Sequence, residues 1–330
     1  MSGKIIVFAT SFLDAPVAKV KHEGEAKKML EDAAKRHGLK LEFRCSRNPL
    51  EPMTASELVD AVAVIADLEK YGADLLKAVG PESGGSLGLV ARYGIGVSSV
   101  DLQGATDAKV QVTNTPGASA PPTAEWAVTS IMSIAGRRKM QHERASIGKT
   151  KFGPSRLDVS KKTLGIIGTG TIGRRVFELL SGYDMDVIAY DPYPNGEWAK
   201  AHGVSYVGLD ELCAKADFIT IHASGESMII GERELSLMSP TTALINCARG
   251  HLVDNKAVYE AVKNGKLWGY GLDEVWQYPD LPLEGLNIEV SPHVGSDSDN
   301  GKIAMQMLSA QSVVEFLDGK ELSFLVNPQK

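Results

Sequence analysis

Between residues 163 and 175 the chain reads "TLGIIGTGTIGRR", an apolar run leading into Gly168, Gly170 and Gly173 at the G-x-G-x-x-G spacing. Glycines so placed let the chain turn tightly, let the backbone approach a pyrophosphate at a helix N-terminus, and let helix and strand pack closely. Thr171 and Ile172 fall in the first turn of that helix. A second apolar run, "DVIAYD", ends in Asp191, eighteen residues after Gly173, where a carboxylate can accept hydrogen bonds from an adenosine ribose. No Arg or Lys follows Asp191 directly, so the expected dinucleotide is NAD and not NADP. Further on, Arg249 in "NCARGHLVD" lies just past an apolar run and His293 in "SPHVG" just past another. Arg249 could cap or pair near the following helix, and His293 could merely end a strand. The crevice beyond the carboxyl ends of parallel strands is nevertheless where such folds bind ligands, and an imidazole there can exchange a proton near neutral pH.

These groups need a scaffold. Residues 4–9, "KIIVFA", have the composition of a buried parallel strand. Next, "EGEAKKMLEDAAKRHGLKLEFR" sets Ala26, Met29, Leu30 and Ala33 at helical spacing, with Gly38 as the stop before strand "LEFR". The alternation continues through "ELVDAVAVIADLEKY", "SLGLVARYGIGVSSVDL" and "VQVTNTPG", a small doubly wound unit. From Pro121, "PPTAEWAVTSIMSIAGRRKMQHERASIGK" predicts one long amphipathic connecting helix, whose basic cluster of Arg137, Arg138, Lys139 and Arg144 reads as a solvated end. "TLGIIG", "DVIAYD", "FITIHA", "TALINCA", "WGYGLD" and "IEVSP" are the strands of a second doubly wound sheet. The last segment, with Ile303, Met307, Val314 and Leu317 at roughly helical spacing, is expected to pack back on the first domain.

Composition sets the bounds. With 330 residues, 43% hydrophobic and 23% charged, the chain exceeds what one core usually organises, so two domains are expected. A net charge of −6 and a pI near 5.7 leave no footprint for nucleic acid or an anionic membrane surface, and point to small-molecule or protein partners. Cys45, Cys213 and Cys247 form neither a disulfide framework nor a zinc spacing, which suits a reducing compartment and implies no metal. The opening apolar run is too short for a secretory leader and no stretch is long enough to span a bilayer, so a cytoplasmic protein is expected.

The segments "ARYGIGVSSVDL" (91–102), "NTPGASAPPTAEWA" (114–127), "LGIIGTGTIG" (164–173), "INCARGHLVD" (245–254), "GYGLDEV" (269–275) and "SPHVG" (291–295), in this order, resemble the NAD-dependent dehydrogenases of D-2-hydroxy acids, over nearly the whole chain. The resemblance implies two Rossmann-like α/β domains: a discontinuous substrate-binding domain, 1–113 with 298–330, and an NAD-binding domain, 114–297. It implies a small 2-oxo or 2-hydroxy acid in the cleft between them, and a homodimer. The backbone of Gly94, Ile95 and Gly96 would hold the substrate carboxylate, Arg249 would grip carboxylate and carbonyl, and His293 would exchange the proton. That division of labour is chemically sound: reduction of a 2-oxo acid needs a hydride donor, a cation on the carbonyl and an acid for the developing alkoxide. Asp273 and Gly295 would approach the cofactor, Cys247 would line its site as a small buried residue, and His222 would lie near it without a catalytic role. Arg92 is a candidate for reading a second anionic group, with a surface ion pair as its alternative. The turn at 91–102 looks most like phosphoglycerate dehydrogenases, although no regulatory domain is expected after residue 330.

One position breaks the family pattern. The usual Glu partner of the catalytic His lies five residues after the Asp of "LDVF", and here that residue is Tyr278, with Gln277 one step away in "DEVWQYP". Without a carboxylate the imidazolium is less stabilised, and the pH profile should move to lower pH. A non-catalytic NAD(H)-binding scaffold, similar to corepressors of this fold, is the alternative function. An NAD enzyme of another type, such as a hydrolase of adenosylated thioethers, would need a catalytic set of its own.

Overall fold

The structure, a computed structural model, describes residues 3–8, 22, 24–44, 51–149 and 155–327. Cys45 and the outer ends of the first and last expected segments, Ala9 and Pro328, lie outside the described residues. The chain divides into two compact units, residues 1–119 with 297–330 and residues 120–296.

The first unit is built on strands β1 (Lys4–Val7), β2 (Lys40–Phe43), β3 (Ala61–Ala66), β4 (Leu89–Arg92) and β5 (Gln111–Thr113), with helices α1 (Glu25–His37), α2 (Ala73–Val79) and α3 (Leu102–Asp107) between them. All strand pairs are parallel, in the order β2-β1-β3-β4-β5. Neighbouring residues go to opposite faces, and both faces are buried: Ile5, Ala63, Ile65 and Leu89 join one core, while Ile6, Val64 and Val90 join the other. That is why these strands read as unbroken apolar runs. Gly38 ends α1 in a left-handed turn (φ 63°), its N–H reaching Ala34 O and Lys35 O, as its place in the sequence predicts.

The second unit opens with α4 (Ala120–Gly136) and α5 (Arg138–Ser146). It continues β6 (Thr163–Ile167), α6 (Thr171–Leu180), β7 (Asp186–Tyr190), α7 (Gly196–His202), β8 (Ser205–Tyr206), α8 (Leu209–Lys215), β9 (Phe218–Ile221), α9 (Glu232–Leu237), β10 (Ala243–Asn246), α10 (Asn255–Lys263), β11 (Gly269–Leu272) and β12 (Ile288–Val290). Its seven strands are again parallel, in the order β12-β11-β10-β9-β6-β7-β8. The two-residue edge strand β8 is too short to leave a pattern in the sequence. The chain then returns to the first unit as α11 (Asp299–Leu317), which packs on α1, β3 and β4. Two α/β units with parallel sheets match the fold class expected from the sequence. Among the described residues no helix is long and apolar enough to cross a membrane.

The single connecting helix does not form. It breaks at Arg137, which takes a left-handed conformation (φ 47°) between α4 and α5. The guanidinium lies 3.8 Å from the centroid of the Trp268 ring, and the Trp268 indole N–H donates to Ile134 O at 3.0 Å. Lys139 Nζ donates to Leu283 O at 3.0 Å and Ile288 O at 3.3 Å. The basic cluster is therefore not simply solvated: an aromatic ring just before β11 and carbonyls before and at the start of β12 hold two of its members. Burial also pulls the Arg137 guanidinium below the usual arginine value. Trp268→Ala removes both the ring under Arg137 and the donor to Ile134, and is expected to cost about 2–4 kcal/mol in urea unfolding; an unchanged midpoint would show that this joint is not stabilising.

Candidate active site

The register of the second sheet sets out the site. Tyr190, Ile167, Ile221, Asn246, Leu272 and Val290 form one row across six strands. The next residue on each strand is Asp191, Gly168, His222, Cys247, Asp273 and Ser291. Five of these six are residues the sequence singles out, so readings made separately along the chain converge on a single edge, the one where parallel sheets bind ligands.

At Gly168 the chain turns with φ 91°, and a Cβ there would lie 2.8 Å from Ala223 N and His222 C. A Cβ on Gly173 would lie 2.1 Å from Gly168 O, so this glycine lets α6 pack against the turn. Gly170 precedes α6 and faces open space, and no side chain caps the helix. The N–H groups of Thr171 and Ile172 begin the helix there, a backbone cradle for an anion. Asp191 Oδ2 accepts from Thr169 N (2.7 Å) and Thr169 Oγ1 (3.0 Å), and Oδ1 accepts from Tyr193 N (2.8 Å). Burial alone would raise its pKa, but the Tyr193 and Thr169 hydrogen bonds outweigh it and hold the carboxyl below its usual value. The ionised acid is fixed beside the glycine turn with acceptor capacity to spare for a ribose. Turn, open helix end and fixed acid fit an NAD pyrophosphate and ribose.

Past β10, Asn246 Nδ2 donates to Arg249 O at 2.7 Å and Ala248 N donates to Asn246 Oδ1 at 3.0 Å. Arg249 follows in extended conformation, its guanidinium exposed and bonded only to Ala248 O at 2.7 Å. Among the described residues no carboxylate pairs with it. This argues against the structural reading of Arg249 as an ion-pair or capping residue.

His293 sits in the loop after β12 at φ 58°, its N–H donating to Ser291 O at 2.9 Å. The left-handed conformation is held by the buried Asp273: Oδ1 accepts from Ser291 Oγ (2.6 Å) and Val294 N (2.9 Å), and Oδ2 from Gly295 N (2.7 Å). A Cβ on Gly295 would lie 2.7 Å from Asp273 Oδ2, so only glycine fits. Trp126 Nε1 adds a bond to Ser291 Oγ at 3.2 Å. Both oxygens of Asp273 are thus engaged by the histidine loop, whereas the sequence reading set this residue beside the cofactor.

The imidazole of His293 is exposed and has no hydrogen-bond partner among the described residues. Neither Tyr278 nor Gln277 is brought to it. The Tyr278 ring packs against Trp276, centroids 5.2 Å apart, with Lys256 Nζ 5.5 Å from its centroid. Among these residues, then, nothing stands in for the expected Glu.

His222 lies beneath the Gly168 turn, bonded to Thr220 Oγ1 at 2.8 Å, with a buried and unpartnered Nδ1. Burial pulls its pKa down to about 3, so it is neutral at working pH and suited to packing, not proton transfer. Burial pushes the Cys247 and Cys213 thiols up to about 12, which excludes a resting thiolate nucleophile at neutral pH. Among the described residues no cluster could hold a metal ion.

The first unit carries the other expected substrate group. Gly94 turns with φ 131°, its N–H donating to Thr115 Oγ1 at 3.1 Å, while the N–H groups of Ile95 and Gly96 have no acceptor among the described residues. Arg92 is not a surface ion pair: its side chain is 8% exposed and its guanidinium lies under Gly94, donating to Tyr93 O and to Ala66 O (3.4 Å), with Asp67 Oδ1 4.0 Å away. Burial lowers its pKa, countered by Asp67 and Glu69, and raises that of Asp67.

Sequence reasoning passed over Asn246, Ser291 and Glu274, which hold the loops in place. Ser291 was discoverable, since it occupies the same step past its strand as Asp191 and Asp273. Asn246 and Glu274 act on backbone groups that leave no trace in residue types.

Residues 129–295 match the family described as D-isomer specific 2-hydroxyacid dehydrogenase, NAD binding domain. The chain is 35% identical over 256 residues to D-3-phosphoglycerate dehydrogenase of Methanocaldococcus jannaschii, covering 74% of this chain and 48% of that protein, so it spans about half the length of that relative. It is 36% identical over 260 residues to glyoxylate reductase of Korarchaeum cryptofilum, covering 75% of this chain and 78% of that one. The structure of D-lactate dehydrogenase from Escherichia coli in its apo form superposes with a TM-score of 0.80 over 98% of this chain and 99% of that one, at 22% identity, a likeness of fold alone.

Two outcomes follow from the loops. Asp273→Asn replaces one acceptor oxygen by an N–H₂ facing backbone donors, and is expected to cost about 1–3 kcal/mol of stability while disordering residues 291–295 in amide exchange; unchanged protection there would refute the clamp. Neutral, buried His222 binds no proton in the folded state until about pH 3, whereas the unfolded chain takes one up near the ordinary 6.5. Its contribution is full above that value and lost as pH falls, at up to about 1.4 kcal/mol per pH unit. His222→Phe should flatten the acid side of a stability-versus-pH curve, and an unchanged slope would count against a buried neutral imidazole.

Proposed function

We propose that this chain, which belongs to the D-isomer specific 2-hydroxyacid dehydrogenase family, interconverts a small D-2-hydroxy acid and its 2-oxo acid by hydride transfer with NAD. The observation that carries the reading is the pair of unpartnered groups on the strands flanking β11: Arg249 past β10 lacks an anionic partner, and His293 past β12 lacks a hydrogen-bond partner. Among the described residues neither group has the partner its chemistry calls for, which leaves both for a ligand.

Bound nicotinamide would supply or accept the hydride at the carbonyl carbon. Asp191 would hold the ribose and the start of α6 the pyrophosphate. Arg249 forms charge-assisted hydrogen bonds to the substrate carboxylate and draws electron density from the adjoining carbonyl. His293 gives its proton to the developing alkoxide oxygen in reduction and takes it back in oxidation. In the first unit, the N–H groups of Ile95 and Gly96, without an acceptor among the described residues, are donors for a carboxylate, next to Gly94 with the Arg92 guanidinium against it. With Tyr278 turned to Trp276 and Lys256, His293 performs this step without a carboxylate partner.

The test is NADH oxidation across glyoxylate, hydroxypyruvate and larger 2-oxo acids. At least one should turn over. His293→Ala should lower kcat by roughly 10²–10⁴ with NADH affinity retained, and Arg249→Ala should lower kcat/KM by about 10–100-fold, mainly through KM. NADH binding with no turnover across the panel would overturn the proposal in favour of a binding scaffold.

A further inference from the structure

The geometry points to Glu274 as a positioning residue that fixes the backbone of Arg249, a role that rests on the function proposed above. β11 is followed at a bend by two consecutive carboxylates, Asp273 and Glu274, which turn to different neighbouring loops. Asp273 turns to the β12 side and holds the His293 loop. Glu274 turns to the β10 side, where its Oε2 accepts from Gly250 N. A Cβ on Gly250 would lie 2.6 Å from that same oxygen, so Gly250 is the residue that lets the carboxylate reach the amide.

The peptide linking Arg249 to Gly250 is held at both polar ends. Its carbonyl, Arg249 O, accepts from Asn246 Nδ2 at 2.7 Å, and its N–H goes to Glu274. One residue on, Gly250 O accepts from Asn255 Nδ2 at 3.0 Å, and Asn255 Oδ1 accepts from the buried Tyr270 hydroxyl at 2.9 Å. Among the described residues the Arg249 side chain itself has a single bond, to Ala248 O. Its aim depends on this peptide plane, and Glu274 supplies the one bond on the N–H side. Adjacent residues of one strand end thus set the backbone under both groups of the proposed chemistry, each reaching to a different neighbouring loop.

Removing the Glu274 carboxylate should weaken the grip on a carboxylate substrate and leave dinucleotide binding alone, since the glycine turn and Asp191 lie on other strands. The experiment uses the NADH-loaded protein and oxamate, a carboxylate with an adjacent carbonyl, read by quenching of NADH fluorescence, together with KM and kcat for the best 2-oxo acid. Glu274→Gln keeps an acceptor oxygen and should stay within about threefold of wild type, whereas Glu274→Ala should weaken oxamate and raise KM by about tenfold or more, with kcat falling less and NADH affinity unchanged. Gly250→Ala should act in the same direction, and adding it to Glu274→Ala should cost less than the two effects combined, because the collision is gone. The inference is overturned if Glu274→Ala leaves oxamate and KM unchanged, or if NADH affinity, kcat and KM all deteriorate together. A wild type that binds NADH but neither binds oxamate nor reduces any 2-oxo acid would instead defeat the proposed function. Amide exchange at Gly250 then decides the positioning role: protection lost only in the Ala variant supports it, and equal protection in all variants rejects it.

Discussion

The carboxylate of Asp273 accepts three hydrogen bonds from the loop that carries His293, and the arrangement of the second unit's edge depends on it. A residue with a side chain at φ 58° is held there only when its surroundings over-determine the backbone. Here the bonds fall on both sides of the histidine, at Ser291 before it and at Val294 and Gly295 after it. The loop therefore presents an imidazole with no partner among the described residues yet little backbone freedom. An exposed side chain on a floppy loop would lose far more in orientation than it gained in access.

The edge follows a common economy. The loops that carry the site are tied down by hydrogen bonds within the protein, while a guanidinium, an imidazole and the open start of α6 are left for something from outside. Burial moves the nearby titratable groups that could compete out of range: the His222 imidazole is too acidic to be charged, and the Cys247 thiol too basic to ionise. Asp191 is the contrast, kept ionised because donors of the glycine turn bind the charged form.

Much of this was legible in the sequence, for a physical reason. Parallel strands buried on both faces must be apolar along their whole length, so "TLGIIG" or "TALINC" marks a strand and also where it ends, and the first polar residue or glycine beyond it marks the site. Asp191 is legible in that way and Gly168 through the glycine spacing beside it, whereas Asp273 is reached only through the family resemblance. The helix from Pro121 was misread because its break at Arg137 is stabilised by Trp268, more than a hundred residues away, and nothing local demands it. Tyr278 was read as the replacement for a missing acid because spacing gives a position and not a direction; packing against Trp276 and Lys256 turned the ring elsewhere. For Arg92 a surface ion pair stood as the alternative to anion binding, since an arginine's type says nothing of the carbonyls it can bond when buried. Backbone-directed side chains such as Asn246 and Glu274 are the hardest to foresee, because their partners are atoms every residue possesses.

The return of the chain to its first unit bears on how the protein is made. Met305, Ala310 and Val313 of α11 complete the same core as Ile5, Leu30, Ala63 and Leu89, so that face of the early sheet lacks its cover until the last helix has been synthesised. Residues 120–296 have no such debt to later sequence. On a ribosome the inserted unit is the first that can close, and the strands that precede it must wait, with apolar surface showing, for a helix that emerges only after the whole inserted unit. Order of synthesis and order of completion run in opposite directions, which makes the interval before α11 appears the time when this chain is most exposed to misassembly and to chaperones.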